Sequence, residues 1–374
     1  MEVIKIAMYG PAFGHNIIPV LDFFQDEKSY KLLYIYRGNS SFPEIYDRIL
    51  FFKYAPFPST LRSLYRLLNS SFKLIWFHRG GNLLTLYIFL LIRRKGTLFN
   101  LNIWGEQIPR KILKGNLASR LLMAALKRME FIQTNWYGTY SLMKKTPLKN
   151  IVMLPWGLED KYYKPLPEKI DLHEFTTAFL KNIPDEKFMF FYSKSIAYPS
   201  RHDLVILAAN ELVSQGIDDF IVYFWLGNNN DRELYKKYRQ LVDGYNLHPY
   251  IRFVEHPLLE FNDYRTIYER VDCGLQIAAQ DQLSTTLTEA MAFRKEIIAT
   301  SIEPYLVLEE KYGVKLGLVD LDAGEIAERM KQYIFGLSTE PAELERRYNK
   351  LRENYNFKTN ISRALNFFIG KEST

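Results

Sequence analysis

The sequence is nearly without cysteine: Cys273 is the only one among 374 residues. No intramolecular disulfide can form, nothing has the Cys/His spacing of a structural zinc site, and a reducing cytoplasm is the natural setting. Long hydrophobic runs are also missing. The most apolar one, "NLLTLYIFLLI" from Asn82 to Ile92, is closed by Arg93, Arg94 and Lys95 and is well short of the roughly 20 residues that a spanning helix needs. It reads as a buried helix. The first residues, "MEVIKIAMYG", have neither a basic n-region nor a long apolar h-region, so they read as a first β-strand and no export signal is visible. There is no internal repeat, low-complexity tract, heptad run or nucleic-acid-binding motif. No Asp-x-Asp triplet of the sort that holds a metal against a diphosphate is read, and no metal or other cofactor is expected.

What is present suits a globular protein of two domains, since 48% of the residues are hydrophobic and the chain is too long for one ordinary core. Charge is distributed unevenly. Residues 1–166 carry 24 Lys+Arg against 10 Asp+Glu, a net of +14, while the remainder carries 25 against 32, a net of −7. A basic first half suggests an anionic partner such as nucleic acid, membrane headgroups or a phosphorylated acceptor; a solvated face chosen for solubility is the alternative.

Short apolar runs alternate with helical patterns. In the first half, 3–10, 31–37, 73–79, 97–104, 131–136 and 150–156 read as strands. After "GLEDKYYKPLPEK" (157–169), read as a linker, the alternation restarts with strands at 187–194, 219–227, 251–256, 273–278 and 296–300 and helices at 201–215, 232–243, 261–271 and 286–293. Strands separated by helices imply parallel sheets covered on both faces. The expected class is α/β, two tandem Rossmann-like doubly wound domains over 1–160 and 161–350, with a C-terminal helix in 351–374 packing back on the first. Ligands are expected at the carboxyl ends of the strands, in a cleft between the domains.

The stretch "DQLSTTLTEAMAF" (281–293) holds Asp281 and Glu289 where strand 273–278 gives way to a helix. Ser284 to Leu287 offer backbone N–H groups at a helix N-terminus, a site for a diphosphate. Glu289, about one turn inside, can accept two vicinal hydroxyls of a ribose. Asp281 lies where a second polyol fits, and the hydroxyls of Ser284 and Thr285 can reach phosphate oxygens. Ser/Thr followed by Glu is also an ordinary helix cap.

"DQLSTTLTEAMAFRKEIIAT" resembles the nucleotide-sugar signature of GT-B glycosyltransferases of the family-4 type, Glu-Gly-Phe-Gly, four residues, then Glu-Ala-Met-Ala, a basic turn and an apolar strand. The resemblance places Asp281 at the first glutamate, which contacts the donor sugar, Ser284 and Thr285 on the diphosphate loop, and Glu289 at the glutamate that holds the ribose. Asp281 replaces Glu, Gln282 and Ser284 replace glycines, and Phe293-Arg294 replaces a residue-Gly pair. At the start of the second domain, the family's Arg and Lys that clamp the donor phosphates have Lys194 and Arg201 as counterparts, with His202 able to share the role; a solvated basic loop is the plain reading.

In the first domain, "GPAFGHNIIPVLDFF" (10–24) follows strand one. Gly10 and Gly14 allow close backbone approach, or only a tight turn, and the resemblance puts His15 on the acceptor side, orienting or protonating a reacting oxygen. Trp104-Gly105-Glu106 resembles a Trp-Gly-acid turn of bacterial transferases that lengthen lipid-linked sugars, with Glu106 as catalytic base or acceptor ligand and Trp104 as a stacking platform or a buried structural residue. Finally, "RKILKGNLASRLLMAALKRMEF" (110–131) reads as an amphipathic helical stretch with Arg110, Lys111, Lys114, Arg120, Lys127 and Arg128. With 59–79 it supplies basic and aromatic groups suited to a bilayer interface.

The resemblance implies a glycosyltransferase moving a sugar from a nucleotide-diphosphate sugar to a lipid-linked or glycan acceptor, in bacterial surface polysaccharide synthesis. Cytoplasmic residence, peripheral on an anionic inner membrane face, goes with it. A GT-B sugar-nucleotide epimerase, a transferase with a soluble acceptor and a basic nucleic-acid-binding protein are the alternatives, the last disfavoured because the basic charge is spread along helices beside apolar faces.

Overall fold

A computed structural model describes residues 3–10, 17–36, 45–53, 62–63, 65–66, 72–78, 83–92, 96–103, 107–226, 230–255, 260–281 and 283–370. The chain divides into two units, residues 1–159 with 356–374 and residues 160–355.

In the first unit the described residues form β1 (Ile4–Gly10), β2 (Tyr30–Tyr36), β3 (Leu50–Lys53), β4 (Leu74–His78), β5 (Leu98–Ile103), β6 (Phe131–Thr134) and β7 (Ile151–Met153). They make one sheet in the order β3-β2-β1-β4-β5-β6-β7, and every pair is parallel. Successive side chains point to opposite faces, so the apolar run in β4 feeds two cores at once. Phe77 packs with Phe99, Leu101 and Ile132 on one face, and Trp76 with Met8 and Tyr34 on the other. The second core is completed by the chain's return: the helix Phe357–Phe368 inserts Phe357, Ile361, Leu365 and Phe368 there. Asn356 caps this helix, its Oδ1 accepting from Thr359 N–H at 2.9 Å.

In the second unit β8 (Phe188–Tyr192), β9 (Phe220–Leu226), β10 (Ile251–Glu255), β11 (Cys273–Gln276), β12 (Glu296–Thr300) and β13 (Gly317–Val319) form a sheet in the order β10-β9-β8-β11-β12-β13. It too is parallel throughout. The order runs outward from β8 on one side and from β11 on the other, which makes the gap between their carboxyl ends the topological switch point.

Several expectations need correction. Residues 110–131 are not one helix: Gln107–Leu113 and Leu117–Leu126 are separated at Gly115, whose φ of 68° suits glycine, and Asn116 caps the second helix. Within 59–79, the run read as a strand at 73–79 is the central strand Leu74–His78, and its Trp76 and Phe77 are fully buried in the core. In the helix Leu83–Ile92, Leu86 and Leu90 are buried but Leu91 is 72% exposed. No helix among the described residues is long and apolar enough to cross a membrane. The segment read as a linker contains a turn of 3-10 helix, Asp160–Tyr163, anchored in the second unit: Tyr163 donates to Tyr355 O at 3.2 Å and Tyr348 to Tyr163 O at 3.0 Å.

Candidate active site

Two loops leave the switch point, one after β8 and one after β11, and backbone bonds join them. Arg201 N–H donates to Ile277 O at 3.0 Å and Ala279 N–H to Pro199 O at 2.8 Å. Across them, Lys194 Nζ meets Asp281 Oδ2 at 2.7 Å, both side chains being mostly buried. The same oxygen accepts from Gln276 Nε2 at 3.0 Å and from the Tyr305 hydroxyl at 2.9 Å. Gln276 Oε1 in turn accepts from Thr286, whose hydroxyl shares a 2.7 Å bond with Ser284 Oγ. A continuous polar chain therefore runs from the lysine to the mouth of the helix Thr285–Ala292.

Among the described residues, no side chain caps that mouth. Ser284 is the N-cap residue, yet its hydroxyl is buried and turned to Thr286 rather than onto the helix N–H groups, so the ordinary capping explanation does not hold here. Thr285, the first helical residue, is exposed.

Glu289 is one turn inside the same helix and is buried. Its Oε1 accepts from the Tyr162 hydroxyl at 2.9 Å and its Oε2 from the Tyr264 hydroxyl at 2.8 Å. Burial pushes its pKa up to about 7, against the downward pull of the two tyrosine bonds and of Lys161. Each carboxylate oxygen accepts more than one hydrogen bond, so the two tyrosines orient the group without exhausting it.

Arg201 is the N-cap residue of the helix His202–Ser214, and its guanidinium lies bidentate on Asp203, at 2.9 Å from Nε and 2.8 Å from Nη2. His202 does not stand beside it as a third cation. It is fully buried, stacked on Tyr192 at 4.4 Å, and burial pushes its pKa down to about 4, so it is neutral in the core.

Lys194, Asp281, Ser284 and Thr285 are thus gathered at one end of the sheet, with Glu289 and Arg201 on the adjoining helices. Gly10 closes β1, whereas Gly14, His15, Trp104, Gly105, Glu106 and Gln282 lie outside the described residues. An Asp-x-Asp triplet does occur at Asp320-Leu321-Asp322, contrary to the reading above; Asp322 caps the helix Ala323–Ile334, accepting from Gly324 and Glu325 N–H at 2.9 and 3.1 Å. Sequence reasoning missed Gln276, Tyr305, Thr286, Tyr162 and Tyr264. Only Thr286 lay inside the motif it singled out.

No family model matches the sequence, and no curated protein matches it. Solved structures do match its three-dimensional form. HepE from Anabaena in complex with UDP superposes with a TM-score of 0.76 at 12% identity, covering 98% of this chain and 100% of that one. A glycosyltransferase from Rickettsia africae superposes at 0.75 with 14% identity, covering both chains in full, 100% and 100%. The lipopolysaccharide outer core galactosyltransferase WaaB gives 0.64 at 11% identity, over 97% and 99%. The fold is GT-B. At these identities the likeness carries the GT-B architecture and not the chemistry, which rests on the side chains described above.

Proposed function

We propose that this GT-B chain is a glycosyltransferase that moves a sugar from a nucleotide-diphosphate sugar to a lipid-linked or glycan acceptor, in bacterial surface polysaccharide synthesis at an anionic membrane face. The observation that carries the reading is the Lys194–Asp281 pair at the switch point beside an uncapped helix N-terminus, with a buried carboxylate one turn inside. UDP is bound in the HepE structure of the same fold, and a uridine diphosphate is the donor moiety we assign.

The diphosphate sits on the N–H groups at Thr285, where the helix dipole favours negative charge. Lys194 and Arg201 turn from Asp281 and Asp203 to the phosphates, and Asp281 then accepts from hydroxyls of the donor sugar. Glu289, held by Tyr162 and Tyr264, accepts the vicinal ribose hydroxyls. As the bond from the anomeric carbon to the β-phosphate oxygen breaks, charge accumulates on the departing diphosphate, and cations already in place stabilise it without reorganising. His15 or Glu106 orients the acceptor oxygen or takes its proton.

The membrane reading is supported in the first unit. Leu113, Leu117 and Leu121 are exposed at 51%, 72% and 46% on the two helices of 107–126, interleaved with exposed Lys111, Lys114 and Arg120. Leu91 is on the neighbouring helix, tied to this one by Tyr87 donating to Leu121 O at 2.6 Å. Leucines among lysines and arginines match the boundary between acyl chains and anionic headgroups.

Isothermal titration calorimetry tests the donor site. UDP is expected to bind saturably, equally well with and without EDTA, and Glu289→Ala to weaken it by about 1.5 to 3 kcal/mol, the worth of charge-assisted bonds. Absence of binding by UDP, ADP and GDP alike overturns the proposal; recovery of binding only with added manganese or magnesium overturns its metal-free form.

A further inference from the structure

The second unit has another concave site, about 620 Å3 in volume, between β13 and the helices Ala323–Ile334 and Pro341–Asn354. Lys315, Leu316 and Gly317 line it at the amino end of β13. The Lys194–Asp281 pair belongs to loops at the carboxyl ends of the strands of the same parallel sheet, so the two sites lie at opposite ends of the strands.

Arg347 lines this pocket and is only 2% exposed. One of its nitrogens, Nη2, donates to Thr339 Oγ1 at 3.3 Å, but Nε and Nη1 are buried without a hydrogen-bond partner among the described residues. Glu296 Oε2 and Glu343 Oε1 are each 3.9 Å away, near enough for attraction and too far for a bond. Both carboxylates are already engaged. Glu296 accepts from the Thr339 backbone and hydroxyl, and Glu343 from Lys315 N–H at 2.7 Å and Arg346 Nε at 2.6 Å. A buried guanidinium with two unmade donors is costly unless something else accepts from them. Lys315, Arg329 and Arg346 also line the pocket, so four cations stand against three acids, Glu340 and Glu343 in the lining and Glu296 behind Arg347.

We propose that this pocket binds a small phosphorylated molecule, its phosphate compensating the charge of the under-bonded Arg347 guanidinium and flanked by Lys315 and Arg329. A phosphate suits the lining better than a lone carboxylate, because a dianion with several acceptor oxygens can serve several cations at once. The remaining volume, beside Tyr333 and Leu316, accommodates a body of sugar size. Gly317 is part of the construction: a Cβ there would lie 2.8 Å from the Tyr333 hydroxyl, so only glycine lets that side chain lie over the strand.

The test is calorimetry of the full chain with glucose 6-phosphate, and with glucose as the uncharged control. Saturable binding of glucose 6-phosphate is expected, with none of glucose. It should persist in Lys194→Ala, which separates this pocket from the donor site whatever the donor site binds. It should weaken at least about tenfold in a Lys315→Glu/Arg329→Glu double variant, a loss of 1.4 kcal/mol. If the double variant does not fold, Lys315→Ala alone carries the test, because the fold uses the backbone N–H of this residue and its side chain is exposed. No binding of glucose 6-phosphate, equal binding of glucose, loss in Lys194→Ala, or unchanged affinity in the lysine variants overturns the proposal.

Discussion

Glu289 is a carboxylate whose surroundings work against its charge, and that has a measurable consequence. Its pKa in the folded protein, about 7, is above the ordinary value of 4.5. A group raised in this way contributes stability that is full below pH 4.5 and is lost as pH rises through 7, because the folded state binds the proton more tightly than the unfolded one. The loss is on the order of 3 kcal/mol, at 1.36 kcal/mol for each pH unit of separation. Glu289→Gln removes the titration while keeping the shape. Between pH 5 and pH 8, urea midpoints of the wild-type protein should therefore fall relative to those of Glu289→Gln; parallel profiles would show that the carboxyl is not buried as described. UDP affinity should move the other way, strengthening across the same window as the ribose hydroxyls meet an ionised acceptor. The position of this glutamate was legible from the motif around it. Its partners were not, since Tyr162 is 127 positions away in a stretch that read as linker, and no local pattern marks a tyrosine that reaches back from such a distance.

At the scale of elements, legibility followed length. β9 is a run of seven apolar residues and β12 has four apolar or β-branched residues after Glu296, and their expected and observed limits agree within a residue or two. β3 and β13 escaped notice because "LFFK" and "GLV" are too short to show a period. The split at Gly115 was hidden for a different reason: apolar residues keep helical spacing across it, while the positive φ of Gly115 and the extended backbone of Asn116 break the helix. β13 nonetheless depends on one residue. A Cβ at Gly317 would lie 2.1 Å from Ile297 O, a backbone atom of the paired strand, so β12 and β13 could not keep their register around it. Gly317→Ala is expected to destabilise the protein by about 1 to 3 kcal/mol or more, as overpacking does. Urea denaturation reads the change directly, and a midpoint equal to that of the wild-type protein would mean that the strands separate at no cost.

For the whole molecule, the partition of charge in the sequence acquires a location. The net +14 of residues 1–166 is accompanied by exposed Leu91, Leu113, Leu117 and Leu121, whereas the groups we assign to the donor belong to residues 160–355. If the first unit rests on a membrane, the protein should cosediment with vesicles containing anionic phospholipid. Rising salt should release it, because exposed charges are screened over about 10 Å at 0.1 M. Each basic side chain near such a surface contributes roughly 1 kcal/mol, so Lys111→Glu, Lys114→Glu and Arg120→Glu together should abolish sedimentation at physiological salt. Leu117→Asp with Leu121→Asp should weaken it even at low salt, where charge attraction is strongest, since the apolar contribution does not depend on screening. Both sets belong to the first unit and the groups assigned to UDP to the second, and UDP affinity should stay within a factor of about two of the wild-type value, as for independent sites. Equal sedimentation with neutral and anionic vesicles, or none with either at low salt, would leave the basic half as a solubility feature and favour a soluble acceptor.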